Sequence, residues 1–204
     1  WLGTTASGLY VYDFKTKKID HWEKGISTSS LRYNHVTDIH QDRKNRIWVL
    51  TNGGGLHLYQ GPGNVFKIFT VADGLVSNTL RGMVEDKKGN LYISDLGNYR
   101  IRKISAAGII STIVGDGTNA AFIDSTKAMN AKIYPWGLSI DSAGTIFFCD
   151  GSSYNIYKIT PDSLIVRVAG VGVSGNSGDG GDAKKAELRN PLFLNVDFAG
   201  NLYF

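Results

Sequence analysis

Gly89-Asn90-Leu91-Tyr92-Ile93 is the stretch that decides the fold, because a polar turn running into a short apolar strand recurs in the same phase. The other copies are Asn45-Arg46-Ile47-Trp48-Val49, Gly144-Thr145-Ile146-Phe147-Phe148 and Gly200-Asn201-Leu202-Tyr203-Phe204. Their aromatic positions, 48, 92, 147 and 203, are 44, 55 and 56 residues apart. Trp1, 47 residues before Trp48, opens a strand of the same kind. A recurring period of this length is the signature of a repeat architecture.

Each period contains several short strands. The sequence predicts strands at 36–41, 47–51, 56–59 and 66–70, then at 81–85, 91–94, 100–104 and 109–114, then at 137–141, 145–149, 156–159 and 165–169. No segment has a convincing helical period, and the 25 glycines supply frequent turns. A β-propeller of four-stranded antiparallel blades explains all of these features. We therefore predict an all-β fold, a single propeller over 1–204 with four repeat periods at about 1–47, 48–91, 92–146 and 147–202.

Composition excludes several other classes of protein. With 42% hydrophobic and 20% charged residues, the chain is neither disordered nor collagen-like. No apolar run reaches the length of a transmembrane helix, so no membrane insertion is expected. The single Cys149 lies in an apolar run and is predicted to be a small buried hydrophobe. The net charge of +4 is scattered among turns rather than gathered in a basic run, so nucleic acid is the less favoured partner.

Two family resemblances cover nearly the whole chain. Over residues 1–95 the repeats resemble two-component-regulator propellers, in the stretches Gly3-Thr4, Gly8-Leu9-Tyr10-Val11-Tyr12, Asp38-Ile39-His40-Gln41-Asp42, Ile47-Trp48-Val49-Leu50-Thr51, Gly55-Leu56-His57-Leu58-Tyr59 and 73–78. Over 89–204 the pattern resembles NHL repeats, in Asn90-Leu91-Tyr92-Ile93-Ser94-Asp95, in 98–104 and in the Gly-rich stretch 175–183 leading to Pro191. The first resemblance implies an extracytoplasmic bacterial sensor that takes part in glycan or other ligand sensing. The second implies a platform for protein, peptide or RNA.

The sequence does not decide whether the ring of blades closes. Either four blades close on themselves, with 192–197 completing the blade begun by 1–24, or the chain is a fragment that needs the remaining blades of a longer one. An open end would expose about ten apolar side chains, each worth about 1.5 to 3 kcal/mol when buried, against a total stability of about 5 to 15 kcal/mol for a domain. We favour the fragment, and the junction of two repeat types also indicates recombination or design.

Loops converging from each blade are where a propeller binds ligands. Two kinds of loop carry the candidates: those that enter the innermost strands and the turns that follow the second strands. Both combine aromatic side chains with Asn, Asp and Arg, a combination that suits stacking on sugars or binding a peptide. Trp136, which follows Pro135, is the strongest single candidate. The candidate ligand-binding residues are Arg32, Tyr33, Asn34, Asn52, Asn78, Asp95, Tyr99, Tyr134, Trp136, Asp150 and Tyr154.

No catalytic residue, metal site or cofactor is predicted. The Gly-x-Gly-x-x-Gly at 170–175 precedes no helix, and the Asp-rich stretch 179–182 lacks the ligand spacing of an EF-hand. The four histidines show no paired-ligand spacing, although His35 or His57 is expected to face the channel. We therefore favour a non-enzymatic recognition module with a carbohydrate or a peptide or protein ligand on its loop face. The alternatives are a propeller enzyme of lyase or lactonase type and a recombined or engineered scaffold without a ligand.

Overall fold

The computed structural model describes residues 1–27, 30–61, 66–75, 77–119 and 125–204. The stretch 73–78 quoted above includes Val76, which lies outside these ranges. The chain divides into two compact units, Trp1–Met83 and Val84–Phe204, and each is described by itself.

The described residues of the first unit form two antiparallel sheets. One has the order β1-β2-β3, with β1 at Leu2–Gly3, β2 at Leu9–Tyr12 and β3 at Ile19–Trp22. The other has the order β4-β5-β6-β7, with β4 at Val36–Gln41, β5 at Ile47–Thr51, β6 at Gly55–Tyr59 and β7 at Phe66–Phe69. Between them lies a core of Leu9, Trp22, Leu31, Val36, Val49 and Phe66.

The second unit is also built of antiparallel sheets. One sheet has the order β8-β9-β10-β11, with β8 at Leu80–Glu85, β9 at Leu91–Asp95, β10 at Arg100–Ile104 and β11 at Ile110–Val114. The division between the two units falls within β8. The next runs β12-β16-β15-β14-β13, with β12 at Thr126–Lys127, β13 at Pro135–Ile140, β14 at Ile146–Asp150, β15 at Asn155–Ile159 and β16 at Leu164–Ala169. The short strands β17 at Asn195–Val196 and β18 at Leu202–Tyr203 pair with each other.

The predicted all-β fold of four-stranded antiparallel sheets is confirmed. The twelve strands whose bounds were predicted begin and end within two residues of those positions. The largest difference is at β13, which starts at Pro135 rather than 137 because a register shift between Pro135 and Leu138 lets Pro135 pair with Asp150. Strands β5, β9 and β14 are buried along most of their length, as expected for strands in a sheet covered on both faces.

Short 3-10 helices were not predicted. In the described part of the chain they lie at Val71–Asp73, Leu96–Asn98, Ala128–Asn130 and Ala183–Lys185. Each is only three residues long, so no amphipathic period is available to reveal it in the sequence. None of the helices in the described ranges has the length and apolar character of a membrane-spanning segment.

A recurrent aspartate explains the turn that opens each repeat. The Oδ1 atoms of Asp42, Asp86, Asp141 and Asp197 each accept hydrogen bonds from the backbone N–H groups two and four residues later. The residue three positions after each aspartate has a positive φ, 58° at Asn45 and 78° at Gly89 for example. Such a backbone favours Gly or Asn. This preference explains why Gly or Asn stands three residues after the aspartate in each repeat.

Candidate functional site

The eleven predicted site residues fall into two sets. The first unit holds Arg32, Tyr33, Asn34, Asn52 and Asn78, and the second holds Asp95, Tyr99, Tyr134, Trp136, Asp150 and Tyr154. All of them lie in loops or at strand ends.

The three candidate asparagines of the first unit, Asn34, Asn52 and Asn78, hold its loops in place. Oδ1 of Asn34 accepts a hydrogen bond of 2.5 Å from the N–H of Lys24. Nδ2 of Asn52 lies 3.3 Å from Nδ1 of His35. Asn78 accepts through Oδ1 from the N–H of Val71 at 3.1 Å, and through its carbonyl from two further backbone N–H groups. Because their polar atoms bind neighbouring loop groups, these residues position the loops.

Arg32 and Tyr33 are exposed beside them. Nη1 of Arg32 donates to the carbonyls of Gly25 and Ile26, at 3.4 and 3.2 Å. The Tyr33 ring is 43% exposed, and Nζ of Lys24 lies 5.6 Å from its centroid. No sequence pattern indicated Lys24, which reaches the ring from another loop.

His57 supports Arg32 from within the core. Its side chain is fully buried, and its Nε2 accepts a hydrogen bond of 3.1 Å from the backbone N–H of Arg32. Burial lowers the pKa of His57 to about 4, and the charge of Arg32 acts in the same direction, while the neighbouring backbone of Val49 and Gly55 opposes the shift. A neutral imidazole that accepts from the backbone has a structural role. His35 is half-buried, and burial and then the charge of Arg81 lower its pKa as well.

Asp95 is a buried carboxyl with one oxygen unused. Oδ1 accepts a hydrogen bond of 3.0 Å from Nδ2 of Asn98. Oδ2 has no hydrogen-bond partner among the described residues. Burial raises the pKa of Asp95 to about 6, and the hydrogen bond from Asn98 and the charges of Arg102 and Arg100 oppose that shift.

Asp150 occupies the matching repeat position, but its hydrogen bonds are complete. Oδ2 accepts from the N–H of Tyr134 at 2.8 Å, and Oδ1 accepts from the N–H groups of Ser152 and Ser153 and from the Ser152 hydroxyl. The carboxylate therefore ties the loop before β13 to the turn after β14. Its role is to position Tyr134.

Three aromatic rings form a continuous row in the second unit, here called the aromatic rim: Tyr99, Tyr134 and Trp136. The ring centroids are 5.8 Å apart for Tyr99 and Tyr134, and 6.2 Å apart for Tyr134 and Trp136. All three side chains are half-buried, and Trp136 also packs on the cluster that contains Phe147. The row joins the turn after β9 to the first residues of β13. The sequence predicted these residues one by one but not their contact.

Gly151 determines where the indole of Trp136 lies. A Cβ on Gly151 would lie 2.5 Å from Nε1 and 2.7 Å from Cδ1 of Trp136. The ring therefore fits against the backbone only because residue 151 has no side chain. Gly151 was not among the predicted site residues, although a glycine directly after the loop-anchoring Asp150 was the available signal.

Tyr154 is half-buried at the turn before β15, in the left-handed region with a φ of 51°. Tyr99 has the same backbone conformation, with a φ of 55°. Cys149 is fully buried, as predicted, and burial raises the pKa of its thiol to about 12. Within the described residues, no group of three or more His, Cys, Asp or Glu side chains could hold a metal ion.

Comparison with known proteins found a family match to one stretch of the first unit. A family model described as "Two component regulator propeller" matches residues 30–53, which include β4 and β5. No curated protein matches the chain. The family match does not reach the second half, so the NHL resemblance stays a prediction.

Several solved structures are similar to the chain. An auxiliary nutrient binding protein from Bacteroides thetaiotaomicron is 16% identical with a TM-score of 0.70, over 97% of this chain and 50% of that one. The extracellular domain assigned to a hybrid two component system of the same organism is 21% identical with a TM-score of 0.67, over 100% of this chain and 24% of that one. Virginiamycin B lyase from Staphylococcus aureus is 15% identical with a TM-score of 0.62, over 98% of this chain and 56% of that one.

These likenesses bear on the fold. The chain spans 24% to 56% of the length of these three structures, and at such low identity the similarity shows the fold alone. Together with the family match and the four-stranded sheets, they show a β-propeller fold.

Proposed function

We propose that the chain is part of a non-enzymatic recognition propeller that binds a saccharide on the aromatic rim of its second unit. The observation that carries this proposal is the unbroken row of Tyr99, Tyr134 and Trp136, with centroids 5.8 and 6.2 Å apart. The apolar face of a sugar ring packs on such a surface, while its hydroxyls need polar partners. Asn98 and the exposed Ser152 stand next to the two aspartates and supply an amide and a hydroxyl.

The comparisons support a sensor role. The match of residues 30–53 to two-component-regulator propellers supports it, as does the likeness to an extracellular domain of a two component system and to a nutrient binding protein. We therefore infer that the chain serves on the extracytoplasmic side of a bacterial signalling or uptake protein. A peptide is the other ligand that the rim suits, because the same rings accept apolar side chains.

Tryptophan fluorescence tests the saccharide proposal. Trp1, Trp22, Trp48 and Trp136 are the intrinsic reporters, and we expect a saturable change when the chain is titrated with a panel of neutral oligosaccharides. Trp136→Phe keeps an apolar ring on the Phe147 cluster but removes the indole, so it should abolish the response. Trp48→Phe is the matched control, because Trp48 lies in the first unit and is not part of the aromatic rim, and its indole is hydrogen-bonded to Asp42. Flat titrations across the panel, or a response only to peptides, would overturn the saccharide proposal.

A propeller lyase is the second candidate, favoured by the likeness to virginiamycin B lyase. Incubation with virginiamycin B and a divalent cation, followed by mass spectrometry, tests it. Conversion that a chelator abolishes would favour the lyase over the recognition module.

A further inference from the structure

The net charge of the chain lies entirely in its first unit. Residues 1–83 contain 10 Lys and Arg against 6 Asp and Glu, whereas residues 84–204 contain 12 of each. A local excess of positive charge raises the concentration of anions at a surface and speeds their association. The first unit is therefore the place to look for an anionic ligand.

Backbone pairing places Lys24 beside Leu31, the residue that precedes Arg32. Lys24 and Leu31 form a parallel bridge, in which the N–H of Leu31 donates to Glu23 at 3.1 Å and the N–H of Gly25 donates to Leu31 at 2.9 Å. Lys24 is thus held next to Arg32, the residue after Leu31. Both side chains are exposed, and within the described ranges neither is ion-paired with a carboxylate.

The guanidinium of Arg32 is already positioned. Nη1 donates to the carbonyls of Gly25 and Ile26, and the backbone N–H of Arg32 is held by the buried His57. These bonds use one nitrogen of the planar group. In the part of the chain that the structure describes, Nε and Nη2 carry no hydrogen bond, which leaves a two-pronged donor edge for a ligand.

Tyr33 completes the arrangement. A Cβ on Gly53 would lie 3.7 Å from the Tyr33 ring, so the ring rests against this glycine, and Nζ of Lys24 lies 5.6 Å from its centroid. The phenol remains 43% exposed. An aromatic surface therefore adjoins the ammonium group of Lys24, and it directly follows Arg32 in the chain.

We propose that Lys24, Arg32 and Tyr33 form a binding site for a sugar acid, a saccharide that carries a carboxylate. A guanidinium edge matches the two oxygens of a carboxylate, the ammonium adds a point charge, and the aromatic ring contacts the sugar. The sugar part of this assignment rests on the proposed function, while the carboxylate part rests on the cations of the first unit.

Isothermal titration with digalacturonate and with the neutral dimer digalactose tests this site. Digalacturonate should bind, and its affinity should fall as salt is added. Arg32→Gln and Lys24→Gln should each weaken binding by about tenfold, with partial recovery in Arg32→Lys. Lys15→Gln, an exposed cation in the turn after β2 with the same charge change, should bind like the wild type. Thermal melting of each variant confirms that it is folded.

Equal binding of both dimers, or unchanged affinity in a folded Arg32→Gln variant, would overturn the proposal. Binding of a peptide through its terminal carboxylate, with no binding of digalacturonate, would overturn the sugar assignment. Failure of the saccharide proposal for the aromatic rim is distinguishable from failure of this site. The rim is tested by titration with neutral oligosaccharides and by the Trp136→Phe variant, which lies in the other unit.

Discussion

The indole Nε1 of Trp48 donates a hydrogen bond of 2.9 Å to Oδ2 of Asp42, six residues earlier in the chain. The phenol hydroxyls of Tyr92 and Tyr203 make the same contact with Asp86 and Asp197, at 3.0 and 3.1 Å. The aspartate of each turn thus binds both its own backbone and the aromatic residue of the following strand. This bond links the turn to the strand in each of these repeats.

Phe147 breaks the pattern, and restoring the bond should stabilise the fold. Phe147 stands six residues after Asp141, and Oδ2 of Asp141 has no hydrogen-bond partner among the described residues. We predict that Phe147→Tyr raises the free energy of unfolding by about 1 kcal/mol. Tyr92→Phe should lower it by a similar amount. Urea denaturation measures both variants, and a destabilised Phe147→Tyr would show that the hydroxyl cannot reach Asp141.

Asp95 should make the fold less stable as the pH rises from about 4 to 6. Burial raises its pKa from 3.8 to about 6, so the folded state holds this proton more tightly than the unfolded state. The cost of ionisation therefore grows between these two pH values and is constant above them, at up to about 3 kcal/mol. Asp95→Asn keeps an acceptor for Asn98 and removes the ionisation. We expect the variant to be more stable than the wild type at pH 7 and equal to it near pH 3.

His57 should make the fold more stable as the pH rises from about 4 to 6.5, which is opposite to the effect of Asp95. Its pKa falls from 6.5 to about 4 in the folded chain, because burial disfavours the charged imidazole. Between these values the unfolded state takes up a proton that the folded state does not. Stability is therefore complete above about pH 6.5 and declines as the pH falls to 4, by about 3 kcal/mol.

His57→Gln isolates this contribution. Glutamine offers an oxygen to the N–H of Arg32 but does not titrate, so the decline between pH 6.5 and 4 should disappear. Denaturation of the wild type and the variant across this range measures it. A decline that persists unchanged in the variant would assign the effect to another group.

The repeat made the strands predictable, since the spacing of Trp48, Tyr92, Phe147 and Tyr203 set their phase. Local rules also accounted for the turns, because an aspartate followed by Gly or Asn three residues later satisfies its own backbone. These features depend on residues close together in the chain.

The difference between Asp95 and Asp150 was not predictable. Both end the second strand of a repeat, yet Asp150 receives the N–H of Tyr134, whereas Oδ2 of Asp95 receives no hydrogen bond within the described ranges. That bond comes from a residue 16 positions away. Contact between Tyr99 and Tyr134 likewise depends on how neighbouring sheets pack, which no local pattern encodes.

The most direct test of saccharide binding at the aromatic rim is isothermal titration of Gly151→Ala, with the neutral oligosaccharide that gives the largest fluorescence change. The added methyl group would lie 2.5 Å from Nε1 of Trp136, so the indole must move, whereas Gly181→Ala places its methyl group 3.2 Å from a loop carbonyl and serves as control. We predict that Gly151→Ala binds at least about tenfold more weakly and that Gly181→Ala binds like the wild type. Wild-type affinity in a folded Gly151→Ala variant would contradict the assignment of the rim as the binding site.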